Sequence, residues 1–217
     1  MAKQWVKKEL KKDPLVAVTS FVYEFIRKNS QTSLIILVVF VVAAVFSVLL
    51  LSARRKNINS GFAKLVRAES VIYSDPYLSL SLCDRVISEF HASPDLTSLA
   101  LYIKGNALFT KEDYEGALAV YRSALDSIDN SLKPDVFFSI AKTEEALNRF
   151  EAALNSYQQF LTDFDRHYLS PEAYLSSARI LIKENQPAQA QQYIEVIKGR
   201  FQGTKWADYA EELGTKK

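Results

Sequence analysis

The apolar positions of this 217-residue chain fall into three patterns, and each predicts a different element. From Leu34 to Leu51 (LIILVVFVVAAVFSVLLL) eighteen residues pass with Ser47 as the only polar side chain. No charge occurs in the 25 residues between Lys28 and Arg54. A helix of that length, rising about 1.5 Å per residue, crosses a hydrocarbon core of roughly 30 Å. Buried core helices seldom exceed about 10 to 14 unbroken apolar residues, so the stretch reads as a transmembrane helix over residues 33–53. It reads as uncleaved: more than thirty residues precede it, and Leu51-Ser52-Ala53 puts a bulky residue where a signal peptide needs small-x-small.

The second pattern lies ahead of the span. Asp13-Pro14 is a helix-start signal, after which Leu15, Val18, Val22, Phe25 and Ile26 recur at helical spacing opposite Ser20, Glu24 and Arg27. With the lysines at 3, 7, 8, 11 and 12, residues 1–32 read as a basic tail and an amphipathic helix in the membrane interface, facing lipid phosphates. The same face would serve to pack on a partner's transmembrane helix or on the chain's own domain.

The third pattern fills residues 57–214. Almost nothing there reads as strand, and comparing the segment with itself reveals a repeat. Tyr114, Ala117, Tyr121 and Ala124 are matched 36 residues later by Phe150, Ala153, Tyr157 and Phe160, and 37 further on the last three places hold Ala190, Ile194 and Ile197. The helix opening each copy carries a small residue: Gly105, Ala141, Ala178. Pro134 and Pro171 stand near the junctions, and a weaker first copy runs from Ser60 to Phe90, where Cys83, Val86 and Phe90 echo Tyr157, Phe160 and Phe164. This is the pattern of paired antiparallel helices in which small residues permit contact within a pair and aromatic residues fill the gap to the next. The expected fold is all-α: one N-terminal transmembrane helix, then a helical-hairpin solenoid of three to four repeats.

Charge sharpens the division. Residues 1–56 hold ten Lys/Arg against three Asp/Glu, and residues 57–217 hold seventeen against twenty-two. The basic part suits an anionic lipid bilayer, while the acidic domain gives no reason to expect nucleic acid. Orientation is pulled both ways: Arg54, Arg55, Lys56, Lys64 and Arg67 closely follow the span, while the tail carries seven basic residues of its own. A single cysteine excludes an internal disulfide.

The segment Tyr102 to Leu125 (YIKGNALFTKEDYEGALAVYRSAL) resembles the tetratricopeptide repeat (TPR) family at its Gly, Tyr, both Ala and second aromatic, as does Phe138 to Leu161. The junctions FDRHYLSPEAYLSSA and FQGTKWADYA are similar to those of bacterial cell-envelope proteins of this class. A span followed by a short array also resembles, in layout, the YfgM-type proteins that associate with the SecYEG translocon and periplasmic chaperones. That resemblance implies a bacterial inner-membrane protein with its C-terminal domain in the periplasm, with translocon or chaperones as partners.

Nothing in the sequence supports catalysis, so no enzyme activity, cofactor or metal site is expected. His91 and His167 are 76 residues apart and read as surface loop residues. Cys83 reads as a buried inert thiol, and Glu144-Glu145, pointing about 100° apart, as a solvated face. The family resemblance instead implies a groove on the first helices of the pairs, lined by Tyr102, Asn106 and Phe109, then Phe138, Lys142 and Glu145, then Leu175, Arg179 and Ile182. Asn106 would bond a peptide backbone, and Lys142 and Arg179 would attract an acidic group or C-terminal carboxylate. Against this stands the reading that several of these aromatics pack inside the array.

The expected function is a membrane-anchored scaffold binding a protein or peptide partner beside the bilayer in export or envelope biogenesis. The alternatives are a cytosol-facing receptor for targeting or chaperone peptides and a purely structural subunit. The repeat itself predicts a cost for Ala117→Leu of about 1–3 kcal/mol through overpacking, read as a lower midpoint in chemical denaturation; an unchanged midpoint counts against a close helix contact there.

Overall fold

The computed structural model describes residues 18, 19, 21, 23 and 27–215. The basic tail and the Asp13-Pro14 helix start lie outside the described residues. Those residues form helices and no strand, and the chain divides into two compact units, 1–57 and 58–217. The helices are α1 (Ser30–Ser70), α2 (Pro76–Glu89), α3 (Pro94–Thr110), α4 (Tyr114–Leu125), α5 (Lys133–Ala146), α6 (Phe150–Asp163), α7 (Ser170–Lys183), α8 (Pro187–Arg200) and α9 (Lys205–Thr215).

In the first unit, every large apolar side chain from Leu34 to Leu51 is more than half exposed. Two hydroxyls bond the helix's own backbone, Ser47 Oγ donating to the Ala43 carbonyl at 2.8 Å and Ser52 Oγ to that of Leu49 at 2.8 Å, while Ser33 Oγ, at the start of the stretch, has no hydrogen-bond partner among the described residues. Arg54, Arg55 and Lys56 end the apolar stretch without ending the helix, because Arg and Lys are good helix formers and neither Gly nor Pro follows until Gly61.

The second unit is a run of hairpins. Proline occupies the first turn of α2, α3, α5, α7 and α8, where its missing N–H costs nothing. The turns within α3–α4, α5–α6 and α7–α8 are closed alike. Each puts one residue in the left-handed region, Glu112 (φ 63°), Asn148 (φ 57°) and Asn185 (φ 57°), again 36 and 37 residues apart. In each, the next amide reaches back five residues: Asp113 N–H to the Leu108 carbonyl (3.0 Å), Arg149 to Glu144 (2.9 Å), Gln186 to Leu181 (2.8 Å). These bonds satisfy the orphan carbonyls of the first helix and turn the chain back along it.

Close packing within a pair follows from the small residues. At Gly105 an added Cβ would lie 2.4 Å from the Tyr121 ring, so α3 and α4 touch across a position that admits no side chain. Ala141 and Ala178 are fully buried at the matching points, as are Ala117, Ala153, Tyr157, Phe160 and Ile197 on the second helices. At the weaker first copy, Leu65 and Ala68 of α1 and Ile72 of the turn after it join Cys83, Val86 and Phe90 in one cluster. Phe90, Phe164 and Phe201 each cap a second helix, their amides bonding the carbonyl four residues back at 2.8–2.9 Å. Cys83 is buried as expected, and desolvation, with the charge of Asp84, pushes its thiol up to about 12.

Two expectations are corrected. Glu144 is 3% exposed and belongs to no solvated face. It accepts from Arg122 Nη2 at 3.0 Å and Ser156 Oγ at 2.6 Å, while Glu145 accepts from the Tyr157 hydroxyl at 2.8 Å, so the 100° divergence sends the two carboxylates to different partners. His91 is exposed, but the His167 side chain is only 20% exposed. It packs on Tyr168 (centroids 4.4 Å) and edge-on to Phe160 (5.8 Å), with Nε2 3.8 Å from Asp135 Oδ2. A loop can be buried where aromatic neighbours close over it.

Gly105→Ala should lower stability by about 1–2 kcal/mol in urea titrations, because displacing the Tyr121 ring outweighs the better helix propensity of Ala. Gly199→Ala, whose Cβ meets no described atom within 4 Å, should raise it by up to about 1 kcal/mol.

Candidate partner-binding groove

The first helices of successive pairs, the α1 end, α3, α5 and α7, present side chains to a common surface. Three cavities lie along it. The largest, about 590 Å³, is bounded by residues of α1 and the turn after it, α3, α4, α5 and the 164–169 segment; the next, about 450 Å³, by α3, α5, α6 and α7; the third, about 360 Å³, by α7 and α9. The first two share Phe109 and Lys142, and the last two share Glu172 and Arg179, so the cavities make one continuous groove.

Tyr102, Asn106, Phe109, Phe138 and Lys142 all border the largest cavity, and Arg179 borders the other two. They differ in what they offer. Phe138 is 6% exposed, its ring held between Tyr157 (5.7 Å) and Phe160 (5.8 Å), and it forms the floor. Leu175 is likewise buried. Tyr102 and Phe109 are half-buried, each with one ring neighbour: Tyr102 against Tyr121 at 6.1 Å, Phe109 edge-on to Tyr114 at 5.1 Å. Asn106 uses its Oδ1 to accept from the buried Tyr121 hydroxyl at 2.6 Å, which leaves its amide N–H groups as its only remaining donors.

The two cations are already partly paired. Lys142 Nζ lies 3.7 Å from Glu172 Oε1, and Arg179 Nη2 lies 3.8 Å from Glu145 Oε1 while donating to Ser176 Oγ at 2.7 Å. Both side chains remain 51% exposed, and at such distances exposed pairs are weak, so either can turn to an incoming anion. Their neighbours were not evident from the sequence. Glu69 reaches the groove from the C-terminal end of α1 and Tyr73 from the turn that follows it, and Tyr168 enters from the 164–169 segment, its hydroxyl donating to Asp135 Oδ1 at 2.6 Å. That bond, then burial, pushes the Tyr168 phenol up to about 12. Burial raises Tyr121 and Tyr157 as well, the nearby Glu145 adding to the second. Among the described residues no three His, Cys, Asp or Glu gather into a set that could hold a metal ion.

A family model for the tetratricopeptide repeat matches residues 84–131 and 138–203, just over half of the chain. No curated protein sequence matches. Among solved structures, a tetratricopeptide repeat protein from Parabacteroides merdae ATCC 43184 is similar with a TM-score of 0.61 and 18% identity, over 71% of this chain and 59% of that one. MamA is similar with a TM-score of 0.54 and 16% identity, over 76% of this chain and 86% of that one. The apo form of RapI is similar with a TM-score of 0.55 and 20% identity, over 69% and 58%. At these identities the likeness is one of fold. The chain spans less than two thirds of the Parabacteroides merdae and RapI proteins.

Asn106 carries a structural duty that any binding experiment must separate from its role in the groove. Asn106→Ala should cost about 1–3 kcal/mol by stranding the Tyr121 hydroxyl, and adding Tyr121→Phe should recover part of that loss in a double-mutant cycle of unfolding free energies.

Proposed function

Because this chain belongs to the tetratricopeptide repeat family, we propose that it is a membrane-anchored scaffold whose groove takes a segment of a protein partner beside the bilayer, in protein export or envelope biogenesis. The family supports protein–protein interaction as the role of the 57–214 domain, and no reaction is assigned to it. The observation that carries the anchor is the wholly exposed apolar surface from Leu34 to Leu51, with the Ser47 and Ser52 hydroxyls satisfied by their own helix. Water would penalise an uninterrupted apolar surface of this extent, and hydrocarbon would not. Hydrocarbon also requires what Ser47 and Ser52 do: bond backbone carbonyls of the same helix.

The basic residues 1–32 then bind the anionic bilayer surface, and residues 33–53 span it. The resemblance in layout to YfgM-type proteins, with the seven-charge tail, supports a bacterial inner-membrane protein with the repeats in the periplasm and the translocon or its chaperones as partners. The groove residues in this reading are Tyr102, Asn106, Phe109, Lys142 and Arg179, over a floor of Phe138. The cluster Arg54, Arg55 and Lys56 favours the opposite orientation, a cytosol-facing receptor for targeting or chaperone peptides.

The full chain should stay with bacterial membranes through alkaline carbonate extraction, and a reporter fused after Lys217 should be active in the periplasm. Release into the carbonate supernatant removes the anchor; a cytoplasmic reporter signal replaces export with the receptor reading. Photo-crosslinking from position 109 in native membranes should capture a translocon or chaperone component.

A further inference from the structure

We propose that the largest cavity of the groove is a seat for an arginine side chain carried by an extended segment of the partner. The inference rests on the groove reading above and adds the chemistry of what the groove holds. Five tyrosines, Tyr73, Tyr102, Tyr114, Tyr121 and Tyr168, border this cavity of about 590 Å³, with Phe109 and Phe138 completing its aromatic wall. Its charged residues are Glu69, Glu112 and Asp135 against the one cation Lys142, which stands where the cavity meets the next and is drawn off toward Glu172. An aromatic wall with excess negative charge is complementary to a cation, since ring faces carry negative potential and the carboxylates supply the counter-charge.

Two of the three carboxylates act on one place. The phenol of Tyr102 is held above its ordinary range by burial, and Asp135 and Glu69, reaching it from α5 and α1, add to the rise. Asp135 is held in position by the Tyr168 hydroxyl at 2.6 Å, while Glu69 and Glu112 are exposed and can close over a guest.

Arginine fits better than lysine. A planar guanidinium stacks on tyrosine rings and meets a carboxylate through two parallel N–H bonds, whereas an ammonium is a strongly hydrated point charge. The neighbouring cavity has the opposite balance, with Lys142, Arg179 and Lys183 against Glu145 and Glu172. An acidic residue would settle there, so the expected attraction of Lys142 and Arg179 for an acid and the arginine seat fix one direction for the bound segment.

The test uses the full chain in detergent micelles and two fluorescein-labelled peptides of Ala and Ser, identical except for a central arginine in one and the neutral isostere citrulline in the other. Fluorescence polarisation should give about tenfold tighter binding of the arginine peptide. That preference should vanish in Glu69→Lys/Glu112→Lys, both exposed positions, and persist in Glu151→Lys, an exposed position on α6 outside the groove. If both peptides bind alike and both weaken in Lys142→Ala/Arg179→Ala, the arginine seat falls and the groove reading stands. If neither binds up to about 1 mM, both fall. A preference that survives Glu69→Lys/Glu112→Lys overturns the seat as located here.

Discussion

Two helices can approach as closely as α3 and α4 do only where one of them lacks a side chain at the crossing. Gly105 provides that absence, and the Tyr121 ring fills it. Once the ring is placed, its hydroxyl falls to Asn106, one turn of groove surface is fixed, and Tyr102 has a flat neighbour to lean on. The next pair solves the same problem with Ala141 and Ala153, and moves the large ring of Phe138 into the gap between Tyr157 and Phe160. The groove thus follows from packing inside the pairs: its floor is the back of the core.

The polar interior is arranged by the same geometry. Glu144 sits where α5 faces α4 on one side and α6 on the other, and it is tolerated because Arg122 and Ser156 come from those two helices to meet it. A buried carboxylate with charge-assisted partners on two elements contributes to specifying the order of the helices as well as to holding them, since another arrangement would leave it unpaired.

What the sequence discloses is what repeats. Tyr114, Ala117, Tyr121 and their counterparts recur because each pair buries the same surface, so spacing alone located the core and the hairpins. The fate of Glu144 was hidden, because whether a carboxylate on a helix is solvated depends on Arg122 and Ser156, distant in sequence and outside any local period. His167 was misjudged for a similar reason: only the folded chain brings Asp135 and Phe160 to the loop that carries it. Of the nine residues marked for the groove, eight line one of its cavities and Ile182 instead packs against the core beside Leu181 and Ile194, and the sequence treated them all as one surface of mixed character. The division into an acidic aromatic cavity and a basic one depends on Glu69, Tyr73 and Tyr168, which come from the end of α1, the turn after it and a connecting segment, none of which was marked for the groove. Pattern reveals what the helices share, and the groove is made distinctive by what they do not.

The turns at Glu112, Asn148 and Asn185 have one further implication. Each is sealed by backbone bonds between residues of its own hairpin, and the neighbouring hairpins reach it through exposed side chains, Lys183 Nζ to Asn148 Oδ1 at 3.4 Å and Arg149 Nη2 to Glu115 Oε1 at 2.5 Å. The array is therefore modular in the sense of a masonry course: a unit of 36 or 37 residues can be gained or lost as a block, with the remaining turns undisturbed. Groove length changes in whole steps, and a lineage that needs to grip a longer segment of chain has only to duplicate a brick.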